Sequence, residues 1–156
     1  LEIGTAPASP PSAAALAAND SRRPTVLIAE DNTVNQLVIK NMIGSDGYNL
    51  AFADNGRIAV EMYAAEQPHI VLMDLSMPEM DGLEATRRIR ALESEQGLAR
   101  APIVAVTAHV LEQDREKCRQ AGMDDFLPKP VRKPTLTAMI ERMLDEAAGE
   151  RAAQSA

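Results

Sequence analysis

The sequence predicts an α/β protein built on a five-stranded parallel sheet with five helices on both faces. Short apolar runs alternate five times with segments of helical periodicity, as expected when each strand is followed by a crossover helix. The run from Ile70 to Met73 is apolar at every position, which is typical of a strand buried on both faces. Pro128 interrupts the last run, and this favours an edge strand because proline lacks a ladder donor.

The first strand is predicted at Val26–Ala29, and the helix after it ends at Gly44 or Gly47. The apolar residues of this helix cover roughly 240° of the helical wheel at about 100° per residue; they are Val34, Leu37, Val38, Ile39, Met42 and Ile43. A helix packed against one face of a sheet needs a stripe only slightly wider than about 100°. Part of the arc should therefore stay exposed, and the pattern leaves open whether Leu37 or Ile43 lies outside.

A second, less buried strand is predicted at Asn49–Ala53, where apolar and small residues alternate. Asn55 is expected to cap the second helix and Asp81 the third, because short polar side chains satisfy the free amides of a first turn. The third strand, Ile70–Asp74, lies between these two helices and ends on a carboxylate.

The fourth strand is predicted at Ile103–Thr107 and the fifth around Phe126–Pro130. The helix between them, about residues 110–121, has an almost wholly charged middle; a solvated face is the ordinary interpretation, and a weakly anchored element is the alternative. A final helix is indicated by apolar residues at i, i+3, i+4, i+7 and i+8, namely Leu136, Met139, Ile140, Met143 and Leu144.

These elements predict the strand order 2-1-3-4-5, the flavodoxin-like arrangement. The folded domain is expected at residues 24–147. Residues 1–23 are rich in Ala, Pro and Ser and have little to bury, so they are interpreted as a flexible linker. Residues 148–156 are interpreted as a disordered tail.

Composition narrows the functional classes. The formal net charge of −7 argues against direct binding of nucleic acid by this domain. One cysteine, Cys118, excludes an intrachain disulfide and fits a reducing cytoplasm. No apolar run approaches the length of a membrane span, so membrane contact by this domain is not expected.

Polar residues stand at the carboxyl ends of four predicted strands. Glu30 and Asp31 follow the first strand, Asp74 ends the third, Thr107 ends the fourth and Lys129 follows the fifth. In an open parallel sheet these ends meet at one edge, where ligands bind. Three clustered carboxylates repel one another, and a hard dication such as Mg²⁺ would relieve the repulsion.

In that order, Glu30-Asp31, Asp74, Thr107 and Lys129-Pro130 resemble the receiver domain of two-component response regulators. The run Met77-Pro78-Glu79-Met80-Asp81-Gly82 strengthens the resemblance, which covers roughly residues 24–144. The start Glu30-Asp31-Asn32, together with Asn35, is most similar to receivers attached to hybrid histidine kinases.

The resemblance implies phosphorelay signal transduction, with Asp74 accepting a phosphoryl group from a phosphohistidine. It implies Mg²⁺ (or Mn²⁺) bound by Asp31, Asp74 and the backbone carbonyl of Ser76, with Glu30 acting through water. It further implies that Thr107 and Lys129 bind the phosphate and that Thr107 and Phe126 form a switch. A histidine kinase or a histidine-phosphotransfer protein would be the partner, docking on the first helix; the candidate docking residues are Val34, Leu37 and Ile43.

Several alternatives remain at this level. The domain is expected to be a phosphoacceptor with slow self-dephosphorylation rather than an enzyme, within a parent protein that is itself a histidine kinase. A terminal receiver of a hybrid kinase is the preferred context and a single-domain regulator the alternative. The expected location is the cytoplasm, including the cytoplasmic part of a larger membrane-associated kinase. A small Mg-dependent phosphatase is disfavoured because the position of its usual acid–base Asp is Ser76, and a degenerate binding module because the acidic set is complete.

Overall fold

The computed structural model describes residues 23–155 except 109 and 110, and it describes side chains up to residue 147. Nearly all of the predicted linker, residues 1–22, lies outside the described residues. The strands are β1 (Thr25–Ala29), β2 (Asn49–Ala53), β3 (Ile70–Asp74), β4 (Ile103–Thr107) and β5 (Asp125–Pro128). The helices are α1 (Thr33–Ile43), α2 (Gly56–Glu66), α3 (Gly82–Gln96), α4 (Glu112–Ala121) and α5 (Lys133–Ser155).

All five strands pair in parallel in the order β2-β1-β3-β4-β5, which confirms the predicted order 2-1-3-4-5. The apolar strands β1, β3 and β4 occupy the centre, and β2 and β5 are the edges. Pro128 lies on the edge strand β5, as its missing donor predicts. This register sets the carboxyl ends of β1, β3, β4 and β5 side by side.

Two apolar cores lie on opposite faces of the sheet, because successive strand side chains point to opposite sides. One core packs under α2, α3 and α4 and includes Leu27, Ala29, Ala59, Tyr63, Val71, Met73, Ile89, Ile103, Ala105 and Cys118. The other packs under α1 and α5 and includes Val26, Ile28, Ile39, Ile43, Ile70, Leu72, Val104, Val106, Leu136 and Ile140. The cores are almost entirely aliphatic, in keeping with an aromatic content of 3%.

Helix α1 exposes part of its wide apolar arc, as predicted. Ile39 and Ile43, four residues apart, point into the core beneath α1. Val34, Leu37 and Val38 are instead 66%, 54% and 42% exposed. Ile43 is therefore wrong as a docking residue: it is fully buried against the sheet, and Leu37 is on the outer side of the helix.

Two helix ends differ from the sequence-based expectation. Helix α4 begins at Glu112 rather than near residue 110, and its N-cap, Leu111, makes no side-chain capping bond. The backbone of α5 continues to Ser155, through most of the segment interpreted as a tail. The physical reason is composition, since Ala, Glu, Arg and Gln in this segment are good helix formers and a single glycine interrupts them.

A buried polar network ties the helices together at the end of the sheet opposite the candidate site. The carboxylate of Glu93, on α3, accepts hydrogen bonds from the Tyr63 hydroxyl and the Ala101 amide. It also forms an ion pair with Arg90, whose Nη1 lies 2.9 Å from Oε1 of Glu93. Arg90 also donates to the Gly122 carbonyl at 2.9 Å and to Asp124 at 2.8 Å. The network therefore fixes the carboxyl end of α4 to α2 and α3.

Within the described residues, each helix is too short or too polar to cross a bilayer.

Candidate functional site

The polar residues predicted from strand ends do meet at one edge of the sheet. Asp74, the last residue of β3, pairs in register with Val106, and Thr107 ends the neighbouring strand β4. The backbone amide of Lys129 donates to the Thr107 carbonyl at 2.9 Å, which draws the segment after β5 towards the same place. Glu30 follows β1 and is anchored to β2 by its amide, 2.9 Å from the Ala53 carbonyl.

Glu30, Asp31 and Asp74 form a carboxylate cluster in which one oxygen from each lies within 4.8 Å of the others. Glu30 and Asp74 are buried, whereas Asp31 faces solvent. The ammonium of Lys129 lies 3.2 Å from Oδ2 of Asp74 and 3.4 Å from Oε1 of Glu30. One half-buried cation is thus shared by two buried carboxylates.

The electrostatics of the cluster reflect burial and mutual repulsion. Burial raises the pKa of Glu30, and the charge of Asp74 raises it further, against the opposing effects of the Asn32 amide and Lys129. Burial alone would lower the pKa of Lys129, but the charges and hydrogen bonds of Asp74 and Glu30 outweigh it and hold the pKa above its usual value. An added cation would lower the electrostatic repulsion between the carboxylates.

The turn between β1 and α1 is held by two residues whose roles the sequence did not reveal. Asn32 caps α1 through its side chain, at 2.8 Å from the Val34 amide, while its own amide donates to Oε2 of Glu30 at 3.0 Å. Gln36 donates through Nε2 to the Glu30 carbonyl at 2.6 Å and to Asp54 at 2.9 Å. These bonds fix the backbone from which two of the three carboxylates project.

The backbone after Asp74 folds back over its carboxylate. The Ser76 amide donates to Oδ1 of Asp74 at 3.1 Å, and the Gly82 amide donates to the Leu75 carbonyl at 3.2 Å. A side chain at Gly82 would collide with the Asp74 carbonyl, so glycine permits this approach. Ser76, whose carbonyl is the expected metal ligand, is therefore adjacent to Asp74 and held there.

The two expected switch residues lie on neighbouring strands. Thr107 is buried at the end of β4. Phe126 pairs in register with Ala105, is half-buried and packs against the core beneath α2, α3 and α4. The guanidinium of Arg115, on α4, lies 4.3 Å from the centre of the Phe126 ring. Arg115 was not singled out from the sequence, because its contact spans two elements separated by a loop.

An apolar cavity of about 430 Å³ adjoins the carboxylate cluster, between α1 and the segment after β5. A smaller cavity of about 270 Å³ lies elsewhere, under α4 beside Arg115 and Phe126. The larger cavity reaches Glu30 and Lys129 and is lined on its apolar side by Val38, Ile39, Val106, Pro130 and Val131. The exposed face formed by Val34, Leu37 and Val38 adjoins it, since Val38 belongs to both. An apolar surface therefore lies next to the candidate reactive group.

The donor set fits a hard divalent cation. The three clustered side chains offer only carboxylate oxygens, the type of ligand that Mg²⁺ prefers. Softer metals would call for sulfur or imidazole, which the described part of this cluster does not contain.

Known proteins are similar to this chain in sequence and in fold. The family model described as response regulator receiver domain matches residues 26–141. Hybrid signal transduction histidine kinase I of Dictyostelium discoideum is 38% identical over 124 residues, which are 76% of this chain and 7% of that protein. Sensor protein GacS of Pseudomonas syringae pv. syringae is 38% identical over 120 residues, 77% of this chain and 13% of its own length. The chain thus spans a small part of these kinases.

A shorter relative is matched almost in full. The polar-differentiation response regulator DivK of Brucella anthropi is 32% identical over 123 residues, 79% of this chain and 98% of DivK. The receiver domain of sensor histidine kinase PA1611 from Pseudomonas aeruginosa, solved with magnesium in its active site cleft, superposes with a TM-score of 0.71 at 41% identity over 79% of this chain and 98% of that chain.

A second solved structure contains a partner. It is the complex of the Saccharomyces cerevisiae histidine phosphotransfer signaling protein Ypd1 with the receiver domain of its downstream response regulator Ssk1. The match has a TM-score of 0.69 at 32% identity and covers 78% of this chain and 86% of that one.

Proposed function

Because the chain belongs to the response regulator receiver family, we propose that Asp74 accepts a phosphoryl group from a phosphohistidine in a phosphorelay. The observation that carries the proposal is the carboxylate cluster of Glu30, Asp31 and Asp74 with Lys129 bonded to Asp74. The receiver domain is proposed to occupy residues 24–147.

Asp74 acts as the nucleophile in this proposal. One carboxylate oxygen forms a bond to phosphorus while the bond from phosphorus to the histidine nitrogen breaks, and the electron pair of the broken bond stays on the imidazole. The product is an acyl phosphate. Phosphoryl transfer needs chiefly positioning and neutralisation of charge, so the protein requires no further acid or base of its own.

The surrounding residues have distinct roles. Asp31, Asp74 and the Ser76 carbonyl would hold Mg²⁺ (or Mn²⁺), with Glu30 contacting it through water. The cation supplies positive charge that lowers the repulsion between Asp74 and the incoming phosphoryl group. Lys129, already 3.2 Å from Asp74, pairs with a phosphoryl oxygen, and Thr107 donates its hydroxyl to another. Movement of Thr107 towards the phosphate and a change in Phe126 then alter the surface around α4.

The proposed partner is a helical histidine-phosphotransfer module or a histidine kinase. Exposed apolar side chains beside a reactive carboxylate suit a docking surface. Val34, Leu37 and Val38 provide such a surface, while Ile43 does not because it is buried. The histidine phosphotransfer protein in the solved complex with the Ssk1 receiver domain supports this class of partner. Nucleic acid and membrane are not proposed as direct partners.

The proposed context is the receiver of a hybrid histidine kinase in the cytoplasm. Similarity to hybrid kinases supports this context, whereas the full-length match to DivK supports a single-domain regulator as the second candidate. In either context the domain is a phosphoacceptor that loses its phosphate slowly rather than an enzyme with turnover. Ser76 stands where a phosphatase of the aspartyl-phosphate type carries its acid–base Asp, which disfavours that activity.

The direct test is chemical. Incubation with a small phosphodonor and Mg²⁺ should add one phosphate to Asp74, detected by intact mass and lost in acid or base. Asp74→Asn should abolish the addition, and EDTA should prevent it in the wild-type protein. Equal phosphorylation of the Asn variant would overturn the assignment, and steady hydrolysis of an added phosphomonoester would favour the phosphatase.

A further inference from the structure

The loop after Asp74, residues 75–81, forms one wall of the carboxylate cluster. Its Ser76 amide bonds directly to Oδ1 of Asp74. Ser76, Pro78 and Glu79 are exposed, and the apolar side chains of the loop are only partly buried. Burial alone therefore constrains this loop weakly, and its shape depends on polar contacts with the rest of the domain.

Glu79 has an uncommon backbone conformation and two partners on another element. Its φ is +67°, in the left-handed region that is unfavourable for a residue with a side chain. Its carboxylate accepts from Nδ2 of Asn55 at 3.2 Å and from Nε of Arg57 at 3.2 Å. Both partners lie at the start of α2, so these bonds offset the backbone cost and join the loop to that helix.

Asn55 faces the loop with a fixed polarity. It is buried, and its Oδ1 accepts the Ile58 amide at 2.8 Å, which caps α2. With the oxygen occupied, the amide group can present only hydrogen-bond donors to Glu79. The backbone repeats the contact, because the Gly56 amide donates to the Met80 carbonyl at 3.1 Å and a side chain at Gly56 would collide with that carbonyl.

We propose that Asn55, Arg57 and Glu79 form a clasp that positions the Ser76 backbone for the divalent cation and for phosphorylation of Asp74. The clasp residues touch neither the cation nor the phosphoryl group, so they are positioning residues. This inference rests on the proposed function, since a loop that bound no cation would have nothing to position.

The polarity of the clasp allows a reversal experiment. Glu79→Gln replaces one carboxylate oxygen with an NH2 group. In one orientation of the glutamine amide this NH2 faces the Nδ2 donor of Asn55, and in the other it faces the guanidinium of Arg57. Asn55→Asp keeps the cap on Ile58 but turns a carboxylate towards Glu79. In the double variant, the glutamine oxygen at position 79 can accept from Arg57 while its amide donates to the aspartate at position 55. Each single change removes one bond of the clasp and sets two like groups against each other, and the double change restores both bonds.

The readouts are the dissociation constant for Mg²⁺, followed by amide NMR shifts at Ser76, and the rate of phosphorylation by acetyl phosphate. Each single variant should bind Mg²⁺ about tenfold more weakly, the smallest loss of affinity usual when a residue that supports a metal ligand is replaced. The dissociation constant of the double variant should return to within about threefold of wild type. Glu61→Gln is the matched control. Glu61 pairs with Arg57 at 2.8 Å but does not contact the loop, so its replacement should leave both readouts unchanged.

The outcomes separate the two levels of inference. Wild-type Mg²⁺ binding in both single variants would overturn the clasp and leave the proposed function standing. Weak binding that the double variant does not recover would also overturn it, since a general loss of stability has no reason to reverse with polarity. A wild-type protein that neither binds Mg²⁺ nor accepts phosphate would overturn the proposed function and the clasp with it.

Discussion

The ammonium of Lys129 lies 3.2 Å from Oδ2 of Asp74, the residue proposed to accept the phosphoryl group. Its second carboxylate partner, Glu30, is 3.4 Å away and almost completely buried. In the metal-free protein, Lys129 therefore offsets charge that would otherwise be repulsive, and its contribution to stability should depend on whether Mg²⁺ is present.

We expect Lys129→Met to lower the free energy of unfolding by about 1–2 kcal/mol in EDTA, less than the loss for a fully buried ion pair because 28% of the lysine side chain is exposed. Saturating Mg²⁺ should recover most of the loss, since it neutralises the same carboxylates. Urea unfolding with and without Mg²⁺ measures both values. Lys133→Met, at an exposed lysine 3.9 Å from Asp46, is the control and should change neither value measurably. An equal loss in both conditions would contradict the prediction.

Thr107→Ala should preserve the fold but weaken the response to phosphorylation. The hydroxyl is small and lies at the end of β4, where its removal leaves the sheet pairing intact. Beryllofluoride mimics the phosphoryl group, and amide shifts over residues 111–128 should change less in this variant than in wild type. Thr135→Ala, at an exposed position on α5, is the control and should respond normally. A full response in Thr107→Ala would rule out the hydroxyl as part of the switch.

The exposed and buried sides of α1 can be separated with one type of substitution. Leu37→Lys should leave the protein folded and normally phosphorylated by a small donor, yet slow its phosphorylation by the partner protein at least tenfold. Ile43→Lys should unfold the domain, because it places a charge in the core. Circular dichroism and transfer assays with both donors measure these effects.

Leu111→Lys provides the matched control for the docking face. Leu111 is an exposed apolar residue at the start of α4, which packs on the opposite face of the sheet from α1. Its substitution should leave transfer from the partner unchanged. If Leu37→Lys transfers as fast as this control, the partner docks elsewhere.

The Tyr63–Glu93 contact predicts a dependence of stability on alkaline pH. Burial, followed by the hydrogen bond and charge of Glu93, holds the pKa of the Tyr63 hydroxyl above its ordinary value of 10.0. Above about pH 10 the tyrosine of the unfolded state loses its proton, whereas the folded state still holds it. The free energy of unfolding therefore falls as the pH rises above about 10. Tyr63→Phe should remove that part of the slope and cost about 1–2 kcal/mol at pH 8, because Glu93 loses a donor.

Chemical unfolding at pH 8, 10 and 11 measures this dependence. Tyr48→Phe serves as the comparison, since Tyr48 is only half-buried and its pKa is raised by burial and by nearby carboxylates rather than by a hydrogen-bond partner. The slope should change much more for Tyr63→Phe than for Tyr48→Phe. Equal changes would show that the buried contact does not govern the alkaline loss.

Sequence periodicity was sufficient to predict the parallel sheet and to predict that its polar strand ends lie close together. Parallel strands have their carboxyl ends at one edge, so Asp74 and Thr107 had to lie near each other once β3 and β4 were recognised. Asn55 and Asp81 were likewise predictable as caps, because capping is a local interaction between neighbours in the chain.

Contacts between distant elements were not predictable. Glu79 lies 24 residues from Asn55, and no local pattern indicates that the two side chains meet. The outer side of α1 was also ambiguous, since Leu37 and Ile43 are equally apolar and only packing against the sheet decides between them. The extension of α5 was missed because helix propensity without an apolar stripe was interpreted as disorder.

Helix α4 is anchored unevenly, and this gives it a mechanical asymmetry. Its buried residues, Cys118 and Ala121, lie towards its carboxyl end, where Arg90 holds the Gly122 carbonyl. Its amino end follows the strand that carries Thr107 and has no side-chain cap. Amide hydrogen exchange should therefore be fastest in its first turn, with protection rising along the helix. We expect local opening of α4 to begin at its amino-terminal turn, while its carboxyl end, held through Gly122, stays folded with the rest of the domain.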